Sequence, residues 1–125
     1  MQSCAYSDAM KQDLYHRAAQ LYHLLSHPAR LCILDELRRE EACVCHLQAV
    51  LGRPQAYVSQ QLRVLREAGV VADRKDGQLV YYRLADPQVE RLLEGVLEPT
   101  GQPTRLPACS CPRCNFGNLG ASDPA

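Results

Sequence analysis

The sequence predicts a mainly α-helical fold with one small β-hairpin, and three stretches predict it. Apolar residues recur at helical spacing over residues 44–51 and again over residues 58–68, and each run ends at a glycine. Two short helices joined by a tight glycine-containing turn form a helix-turn-helix. Further along, Asp76-Gly77 separates two β-rich runs, and Asp-Gly is a strong signal for a tight hairpin turn. A helix-turn-helix followed by such a ribbon is a winged helix-turn-helix, so double-stranded DNA is the first partner to consider.

Two further helices are predicted before this motif. The helical pattern begins at residue 8 and continues to Leu25 with an apolar stripe along one face. Pro28 suits the first turn of a second helix, which we expect to continue to about Arg39 and to pack beneath the helix-turn-helix. Cys32 lies in the apolar stripe of that second helix, where we expect it to serve as a small buried hydrophobe.

A last helix is predicted after the hairpin, because Asp86 suits the capping position and Pro87 the first helical position. One small domain has too little core to cover the apolar stripes of both its first and its last helix. Pairing with a second copy of the chain would bury them, so we expect a homodimer whose interface the two end helices form. The stripes consist of Leu14, Leu21 and Leu25 in the first helix and of Leu92, Leu93 and Val96 in the last.

The 125 residues divide into one domain and two short ends. We expect an N-terminal arm over residues 1–7 and the winged helix-turn-helix domain over residues 8–98. Residues 99–125 are rich in Pro, Gly and Ser and lack a periodic apolar pattern, which predicts a flexible, Cys-rich C-terminal tail. The sequence shows neither a secretory signal nor an apolar run long enough to cross a bilayer, so we expect a cytoplasmic protein with no membrane partner.

The charges are distributed unevenly, although the formal net charge is zero. Basic residues gather between residues 53 and 83, and a local basic face suits docking to phosphates at a defined site. Polar residues of a recognition helix over residues 55–68 would read base edges, while basic residues hold the backbone. Salt bridges to Glu67 or Asp73 are the alternative role for the arginines. The residues expected to contact DNA are Arg53, Gln55, Tyr57, Ser59, Gln60, Arg63 and Arg66 in and beside the helix, and Arg74, Lys75 and Gln78 in the wing.

The seven cysteines favour thiolate chemistry or metal binding over disulfides in a reducing compartment. Cys43 and Cys45 stand at positions i and i+2, and successive side chains of a regular helix diverge by about 100° per residue. The two thiols can therefore share one ion only at a helix start, where the first turn can open. A helix start also favours the thiolate, because unsatisfied N–H groups and the helix dipole stabilise negative charge. Soft thiolates select soft ions such as cadmium, lead, zinc, copper(I) or trivalent arsenic.

Several motifs together resemble the ArsR/SmtB family of metal-responsive bacterial repressors, over roughly residues 9–97. Residues 25–31 resemble the family's entry to its second helix, and the wing ends in a similar way over residues 80–84. Residues 41–47 are similar to the thiolate metal box of the family's arsenic, cadmium and lead sensors. Two positions depart from the family pattern: His46 stands where the box usually has an acidic residue, and Gln61 where the recognition helix commonly has a histidine.

The resemblance implies a repressor that binds operator DNA as a dimer and leaves it on binding a thiophilic ion, with As(III), Cd(II) or Pb(II) expected first and Zn(II) possible. Some family members complete this site with a cysteine from an N-terminal arm, often the partner's, which makes Cys4 a candidate. The tail thiols would close the same site, form a second one or collect ions for it. His46 would join the site or flank it as a solvent-facing residue. The metal ligands expected are Cys43, Cys45, Cys4, Cys109, Cys111 and Cys114.

Two other function classes are compatible with a chain of this kind. One is a thiol-based redox or persulfide-sensing repressor of the same fold, in which an oxidant joins two cysteines instead of an ion. The other is an enzyme, which we do not expect, because no Cys-x-x-Cys lies beside a βαβ pattern and no nucleophile–base pair is evident.

Overall fold

A computed structural model describes residues 9–99 and Gly101. The arm predicted over residues 1–7, and all of the predicted tail except residues 99 and 101, lie outside the described residues. Within them, five helices and a small antiparallel sheet form a winged helix-turn-helix, as the sequence predicts. The elements are α1 (Ala9–Leu25), α2 (Pro28–Leu37), β1 (Ala42–Cys43), α3 (Val44–Leu51), α4 (Gln55–Glu67), β2 (Val71–Asp76), β3 (Leu79–Leu84) and α5 (Pro87–Val96).

The helices begin and end at the residues that their local chemistry favours. Pro28 occupies the start of α2, where its missing N–H costs no hydrogen bond. At the start of α5, the Asp86 carboxylate accepts a hydrogen bond of 2.9 Å from the backbone N–H of Gln88. Gly52 ends α3 in the left-handed conformation at φ 65°, which a side chain would disfavour. This turn sets the angle between α3 and α4.

The sheet has the strand order β1-β3-β2, and all its pairs are antiparallel. Asp76 pairs with Leu79, so that only Gly77 and Gln78 form the loop of the wing, with Gly77 at φ 65°. The sequence did not predict β1, because two residues are too few to show a period. In β1, Cys43 pairs with Tyr81 of β3, which attaches the start of α3 to the wing.

A single apolar core lies between the helix-turn-helix and α2, with contributions from both ends of the domain. Two residues assigned from the sequence to the dimer stripes belong to this core instead: Leu25 is 9% exposed and Leu93 is 3% exposed. Each of these two residues lies on the side of its helix that packs against the domain, whereas the opposite side of the same helix is exposed to solvent. The fully buried residues include Ile33, Leu34, Leu47, Val58, Leu62, Leu65 and Val89.

The remaining apolar residues of the end helices are open to solvent in the single chain. Met10 is 77% exposed, Leu14 52% and Tyr22 60% on α1, and Val96 is 81% exposed on α5. Exposed apolar side chains of this size are typical of surfaces that bind another protein. None of the described helices is both long enough and apolar enough to cross a membrane.

Candidate thiol site and DNA-binding surface

The thiols of Cys43 and Cys45 meet where β1 passes into α3. Cys43 has the extended conformation (φ −89°, ψ 170°) and precedes the first helical residue, whereas Cys45 lies in the first turn. The change of backbone conformation between them removes the divergence that a regular helix would impose. The two sulfur atoms lie 2.6 Å apart. The helix start that the sequence requires for a shared ion is therefore present.

The two thiols differ in how far solvent reaches them. Cys43 is 2% exposed and is held in the sheet by its pairing with Tyr81. Cys45 is exposed. The arrangement presents one fixed sulfur and one accessible sulfur at the same place, which suits the capture of a ligand from solution.

A cavity of about 280 Å³ opens beside the thiol pair. Its walls come from four parts of the fold: the end of β1, the first turns of α3, the first residue of α4 and the tip of the wing. The side chains that line it with Cys43 and Cys45 are Val44, Gln48, Gln55, Gln78, Leu79 and Val80. Two of these, Gln55 and Gln78, are residues for which the sequence predicts DNA contacts. No sequence signal indicates this shared wall, because residues 45, 55 and 78 meet only in the folded chain.

The described residues supply two soft ligands at this place. Across residues 9–99 and Gly101, no group of three or more His, Cys, Asp or Glu side chains is positioned to hold a metal ion. Thiolates are the type of ligand that soft ions prefer, so the two adjacent cysteines suit such an ion chemically. A closed coordination shell needs at least one further donor. Cys4, Cys109, Cys111 and Cys114 lie outside the described residues, so their predicted part in the site stays a prediction.

His46 does not face solvent, contrary to the expectation that it would if it only flanked the site. Its side chain is fully buried, and its Nε2 atom lies 3.0 Å from Oε1 of Glu36, which is itself 6% exposed. The helix α3 is short and packs against α2, so a residue next to the exposed Cys45 points into the core. This pairing leaves the Nε2 atom of His46 engaged with α2 rather than with the thiols.

Cys32 lies on α2 and is partly buried, close to the expected role of a small hydrophobe. Burial raises the pKa of its thiol, and the nearby Glu36 and Asp35 carboxylates raise it further. A raised pKa reduces the fraction of thiolate, which is the form that binds soft ions, so Cys32 is less suited to ion capture than a solvent-exposed thiol.

The helix α4 separates an inward apolar face from an outward polar face. Val58, Leu62 and Leu65 are fully buried. The outward residues Gln55, Ser59, Gln60, Arg63 and Arg66 are exposed, as the recognition-helix prediction requires. A shallow depression of about 470 Å³ crosses this face and includes Tyr82 of the wing, which was not among the residues predicted from the sequence. The alternation along β3 places Tyr82 on the face opposite the buried Tyr81, and that signal would have identified it.

The cations that are predicted to bind phosphate differ in whether a neighbouring side chain already contacts them. Arg66 Nη1 lies 3.0 Å from Oδ2 of Asp73, which is the salt bridge considered as its alternative role. Arg53 stacks over the Tyr57 ring at 4.0 Å. Within the described part of the chain, neither Arg63 nor Lys75 forms a salt bridge. Exposed salt bridges contribute only about 0–1 kcal/mol, so a paired arginine remains exchangeable for phosphate.

Arg74 of the wing is bound by Glu41, the residue before β1. Its Nε donates to Oε2 of Glu41 at 3.1 Å, and its Nη2 donates to Oε1. The guanidinium also stacks on the Tyr81 ring at 4.7 Å. The hydrogen bonds from Arg74 lower the pKa of the Glu41 carboxyl, so Glu41 is ionised at neutral pH. A predicted phosphate ligand is thus held by a carboxylate two residues from Cys43.

Gln61 is held towards the domain by Arg30. Arg30 Nε donates to Oε1 of Gln61 at 2.8 Å, and its Nη1 donates to the backbone oxygen of Leu24 at 3.2 Å. One side chain on α2 therefore joins the end of α1 to the middle of α4. Gln61 serves in this fold to fix the recognition helix.

Comparisons with known proteins agree with this architecture. The sequence profile of a family described as "Bacterial regulatory protein, arsR family" matches residues 27–73. A transcriptional repressor SmtB homolog from Synechocystis is 37% identical over 91 residues, which cover 73% of this chain and 69% of the homolog. A biofilm growth-associated repressor from Agrobacterium fabrum is 44% identical over 78 residues, covering 62% of this chain and 67% of that protein.

A solved structure supports the same fold. The homodimeric winged helix-turn-helix DNA-binding domain Mb0332 from Mycobacterium bovis, a possible ArsR-family transcriptional regulator, is 32% identical to this chain. The two superpose with a TM-score of 0.64, covering 75% of this chain and 86% of that one.

Proposed function

The chain belongs to the ArsR/SmtB family of bacterial transcriptional repressors, and from that premise we propose that it binds operator DNA as a homodimer and releases it when a thiophilic ion binds Cys43 and Cys45. The observation that carries the proposal is the 2.6 Å separation of the two sulfur atoms beside the start of the recognition helix. As(III), Cd(II) and Pb(II) are the first effectors to test, and Zn(II) is the next. When bound, such an ion draws two thiolates into one coordination shell.

The DNA-binding part of the proposal rests on α4 and the wing. Gln55, Ser59 and Gln60 are exposed on the face of α4 that suits a major groove, and a glutamine amide can pair with adenine through two hydrogen bonds. Arg53, Tyr57, Arg63 and Arg66 would hold phosphates beside the groove, with Arg74, Lys75 and Gln78 acting from the wing. Repression follows because a dimer seated on its operator blocks access to that DNA.

The coupling between ion and DNA is proposed to act across the shared cavity. Gln55 and Gln78 line both the thiol cavity and the surface assigned to DNA. The two sulfurs lie 2.6 Å apart, and two metal–sulfur bonds of about 2.3 Å each would hold them further apart than this. An ion that binds both would therefore move Cys45 relative to Cys43 and change the first turn of α3, which forms one wall of the cavity that these two amides line. Ion and operator then favour different arrangements of one dimer, and this coupling is reciprocal by thermodynamic necessity.

The dimer is proposed to form through the exposed stripes of α1 and α5. Leu14, Tyr22 and Val96 are exposed in the single chain, and a second copy would cover them. Leu14→Glu would place a charge in that interface and yield monomers in sedimentation experiments. A dimer of unchanged stability would rule out this assignment.

Further ligands are proposed from the ends of the chain. Cys4 would complete the thiol site, and Cys109, Cys111 and Cys114 would close the same site or form a second one. Deletion of residues 107–125 separates these cases. Fewer ions bound with normal operator release would indicate a second site, whereas loss of both at low ion concentration would assign the third ligand to the tail.

The test of the proposed function is a titration of the full-length dimer with arsenite, Cd(II), Pb(II) and Zn(II), measured by fluorescence anisotropy of a labelled operator. At least one ion should release the DNA at concentrations that saturate the thiols. Stable operator binding under all four ions would contradict the metal-sensing proposal.

The short sulfur–sulfur distance also supports a second candidate function, a thiol-based redox or persulfide-sensing repressor. Sulfurs this close need little movement to form a disulfide, in which an oxidant takes two electrons and the two thiols lose two protons. Metal-free protein kept in chelator would then release its operator on addition of peroxide or persulfide, and a reductant would restore binding. Release by ions but not by oxidants would exclude this candidate.

A further inference from the structure

One arginine in the first turn of α2 joins three helices of the domain. Arg30 Nε donates to Oε1 of Gln61 in α4 at 2.8 Å, and its Nη1 donates to the backbone oxygen of Leu24 in α1 at 3.2 Å. Leu24 lies in the last turn of α1, where backbone carbonyls have no partner within the helix. A cation at that end also interacts favourably with the helix dipole. The guanidinium therefore caps α1 and holds α4 at the same time.

The two helices that Arg30 joins have different roles in the proposed dimer. The exposed residues Leu14 and Tyr22 of α1 are assigned to the interface between the two copies, and the exposed Arg63 of α4 is assigned to DNA. Gln61 is only partly exposed, and its side chain meets α2 instead of the outward face. The hydrogen bonds of Arg30 thus connect an interface helix directly to the recognition helix.

The other helix assigned to the interface, α5, is attached to the opposite end of α2. Arg38 follows the last residue of α2 and is buried. Its Nε donates to Oδ1 of Asp35 at 2.7 Å, and its Nη2 donates to the backbone oxygen of Glu98, just beyond α5. Both interface helices are therefore bound by arginines at the ends of α2, and α2 carries the position of the interface to α4.

An arginine suits this role because its donors have fixed directions. The guanidinium is planar and its N–H groups form a rigid fork, so the bonds from Arg30 to α4 and to α1 fix the angle between these two helices. Apolar packing alone is not directional. A lysine ammonium is a point charge on a flexible stem and would not impose the same angle.

We propose that Arg30 is a positioning residue that sets the separation of the two recognition helices in the dimer and thereby selects the spacing of the two half-sites in the operator. The inference rests on the proposed function, because it requires a dimer that binds two half-sites. In dimeric helix-turn-helix proteins, the spacing of the half-sites, commonly about 34–36 Å, mirrors the separation of the recognition helices.

The angle between α1 and α4 matters because DNA is helical. One added base pair moves a half-site by about 3.4 Å along the duplex and, at about 10–10.5 base pairs per turn, rotates it by roughly 35°. A dimer whose α4 helices are held at one angle cannot follow both changes. It should therefore discriminate between neighbouring spacings, whereas a dimer with loosely held α4 helices should accept several.

The experiment begins with the full-length chain and a library of random-sequence DNA duplexes, without added ion. The native chain should enrich an inverted repeat with one separation of its half-sites. Labelled duplexes are then made from that repeat with the preferred separation, with one base pair fewer and with one base pair more. Fluorescence anisotropy gives the three affinities. The quantity compared is the ratio of the affinity for the preferred duplex to the mean affinity for the other two.

Substitutions on both sides of the hydrogen bond should change this ratio. Arg30→Lys and Gln61→Leu should each reduce it about tenfold, the effect of losing one charge-assisted hydrogen bond, and the double variant should reduce it no further. Gln61→Glu keeps the acceptor and should keep the ratio within about twofold. Arg39→Lys is the matched control, because Arg39 pairs with Asp35 at the other end of α2, at 3.3 Å.

The ratio separates positioning from general stabilisation. A residue that only stabilised the fold would, when replaced, weaken binding to all three duplexes alike and leave the ratio unchanged. Urea unfolding and sedimentation identify the variants that remain folded dimers. If Arg30→Lys does not fold, Gln61→Leu decides, because it leaves the bond from Arg30 to Leu24 in place. An unchanged ratio in the folded variant, or an equal loss in Arg39→Lys, would overturn the inference.

The outcome is separable from the proposed function. If the native chain enriches no inverted repeat, the proposal that it binds an operator as a dimer fails. If it enriches an inverted repeat with one separation and the Arg30→Lys dimer keeps the same ratio, only the inference about Arg30 fails.

Discussion

The start of α3 and the first residue of α4, Gln55, line the same cavity, yet the side chains of the two helices are arranged by different means. On α4, a regular helical period buries Val58 and Leu62 and exposes the polar residues between them. At the start of α3, the period is interrupted, and this interruption brings Cys43 and Cys45 within 2.6 Å of each other. A helix that contacts the repeating structure of DNA benefits from side chains at a regular spacing. A site that binds one ion instead needs two side chains that converge on a single point.

The two regions also depend on each other through the wing. The pairing of Cys43 with Tyr81 joins the thiol site to the wing, and the salt bridge of Glu41 with Arg74 repeats that connection on the surface. The backbone pairing and the salt bridge are thus two connections between the thiol site and the wing besides the cavity that both regions line. Substitutions that remove one region or the other, or the contacts between them, test this dependence.

The largest expected effect comes from removing both thiols. In the Cys43→Ser, Cys45→Ser chain, operator binding should persist, because neither residue belongs to the outward face of α4. Release by the inducing ion should disappear, since a serine hydroxyl is a poor ligand for soft ions. Anisotropy of labelled operator measures both, and Cys32→Ser is the matched control because Cys32 lies apart from the pair. Full release from the double variant would transfer the sensing role to the tail thiols.

The second effect is on stability and tests the position of His46. His46→Ala removes the buried hydrogen bond between His46 and Glu36, and the loss of a hydrogen bond to a charged group costs about 1.5–3 kcal/mol of the free energy of unfolding. Urea unfolding at a fixed protomer concentration measures this loss, with the exposed His16→Ala as the control. If His46 were instead an ion ligand, the substitution would reduce ion affinity and leave the free energy of unfolding nearly unchanged.

The third effect concerns Arg63, an exposed residue of α4 that is proposed to bind a DNA phosphate. Arg63→Ala should weaken operator binding roughly tenfold, because a charge-assisted hydrogen bond contributes about 1.5–3 kcal/mol and each 1.4 kcal/mol is a factor of ten. The slope of log K against log salt should fall by about 0.9 for each phosphate that is no longer neutralised, or about 1.8 for a dimer. Ion affinity should be unchanged. An unaltered salt slope would place Arg63 away from the DNA.

The fourth effect is a gain in operator affinity. Glu41 holds Arg74 through two hydrogen bonds, so it competes with any phosphate for that guanidinium. Glu41→Gln should tighten operator binding by up to about fivefold, the range set by a surface ion pair of about 0–1 kcal/mol. Glu94→Gln removes the same charge from α5 and is the control for net charge. The gain should vanish when Arg74→Ala is added, and a gain that survives would exclude the competition.

The helices and the wing could be predicted from the sequence because their signals are local. Pro28, Asp86 and Gly77 act within one turn of their own positions, and each stands where the structure begins or turns an element. The prediction that the thiols converge also came from one local fact, the spacing of Cys43 and Cys45. The residues that surround the thiols could not be predicted, because tertiary packing brings them there from distant parts of the chain.

Three features illustrate this limit. His46 was expected to face solvent, and only the packing of α3 on α2 turns it towards Glu36. Leu25 and Leu93 fit an interface stripe by period, although the fold buries them. The cavity unites residues that lie more than 30 positions apart along the chain, and no periodicity encodes such a meeting.

The smallest effect tests whether the two regions share a wall. Gln78 lines the thiol cavity and lies in the wing, whereas Gln60 lies on the outward face of α4 and does not line that cavity. Gln78→Ala should therefore change both operator affinity and ion affinity, each by about twofold, since an amide hydrogen bond at an exposed position contributes about 0.5 kcal/mol, the lower end of the usual range. Gln60→Ala should change operator affinity alone. Ion binding is measured by thiolate absorbance in the absence of DNA, so that reciprocity through the operator cannot produce the shift. If Gln78→Ala alters only operator binding, the thiol cavity and the DNA-binding surface do not communicate through Gln78. Their coupling would then have to pass through the pairing of β1 with β3.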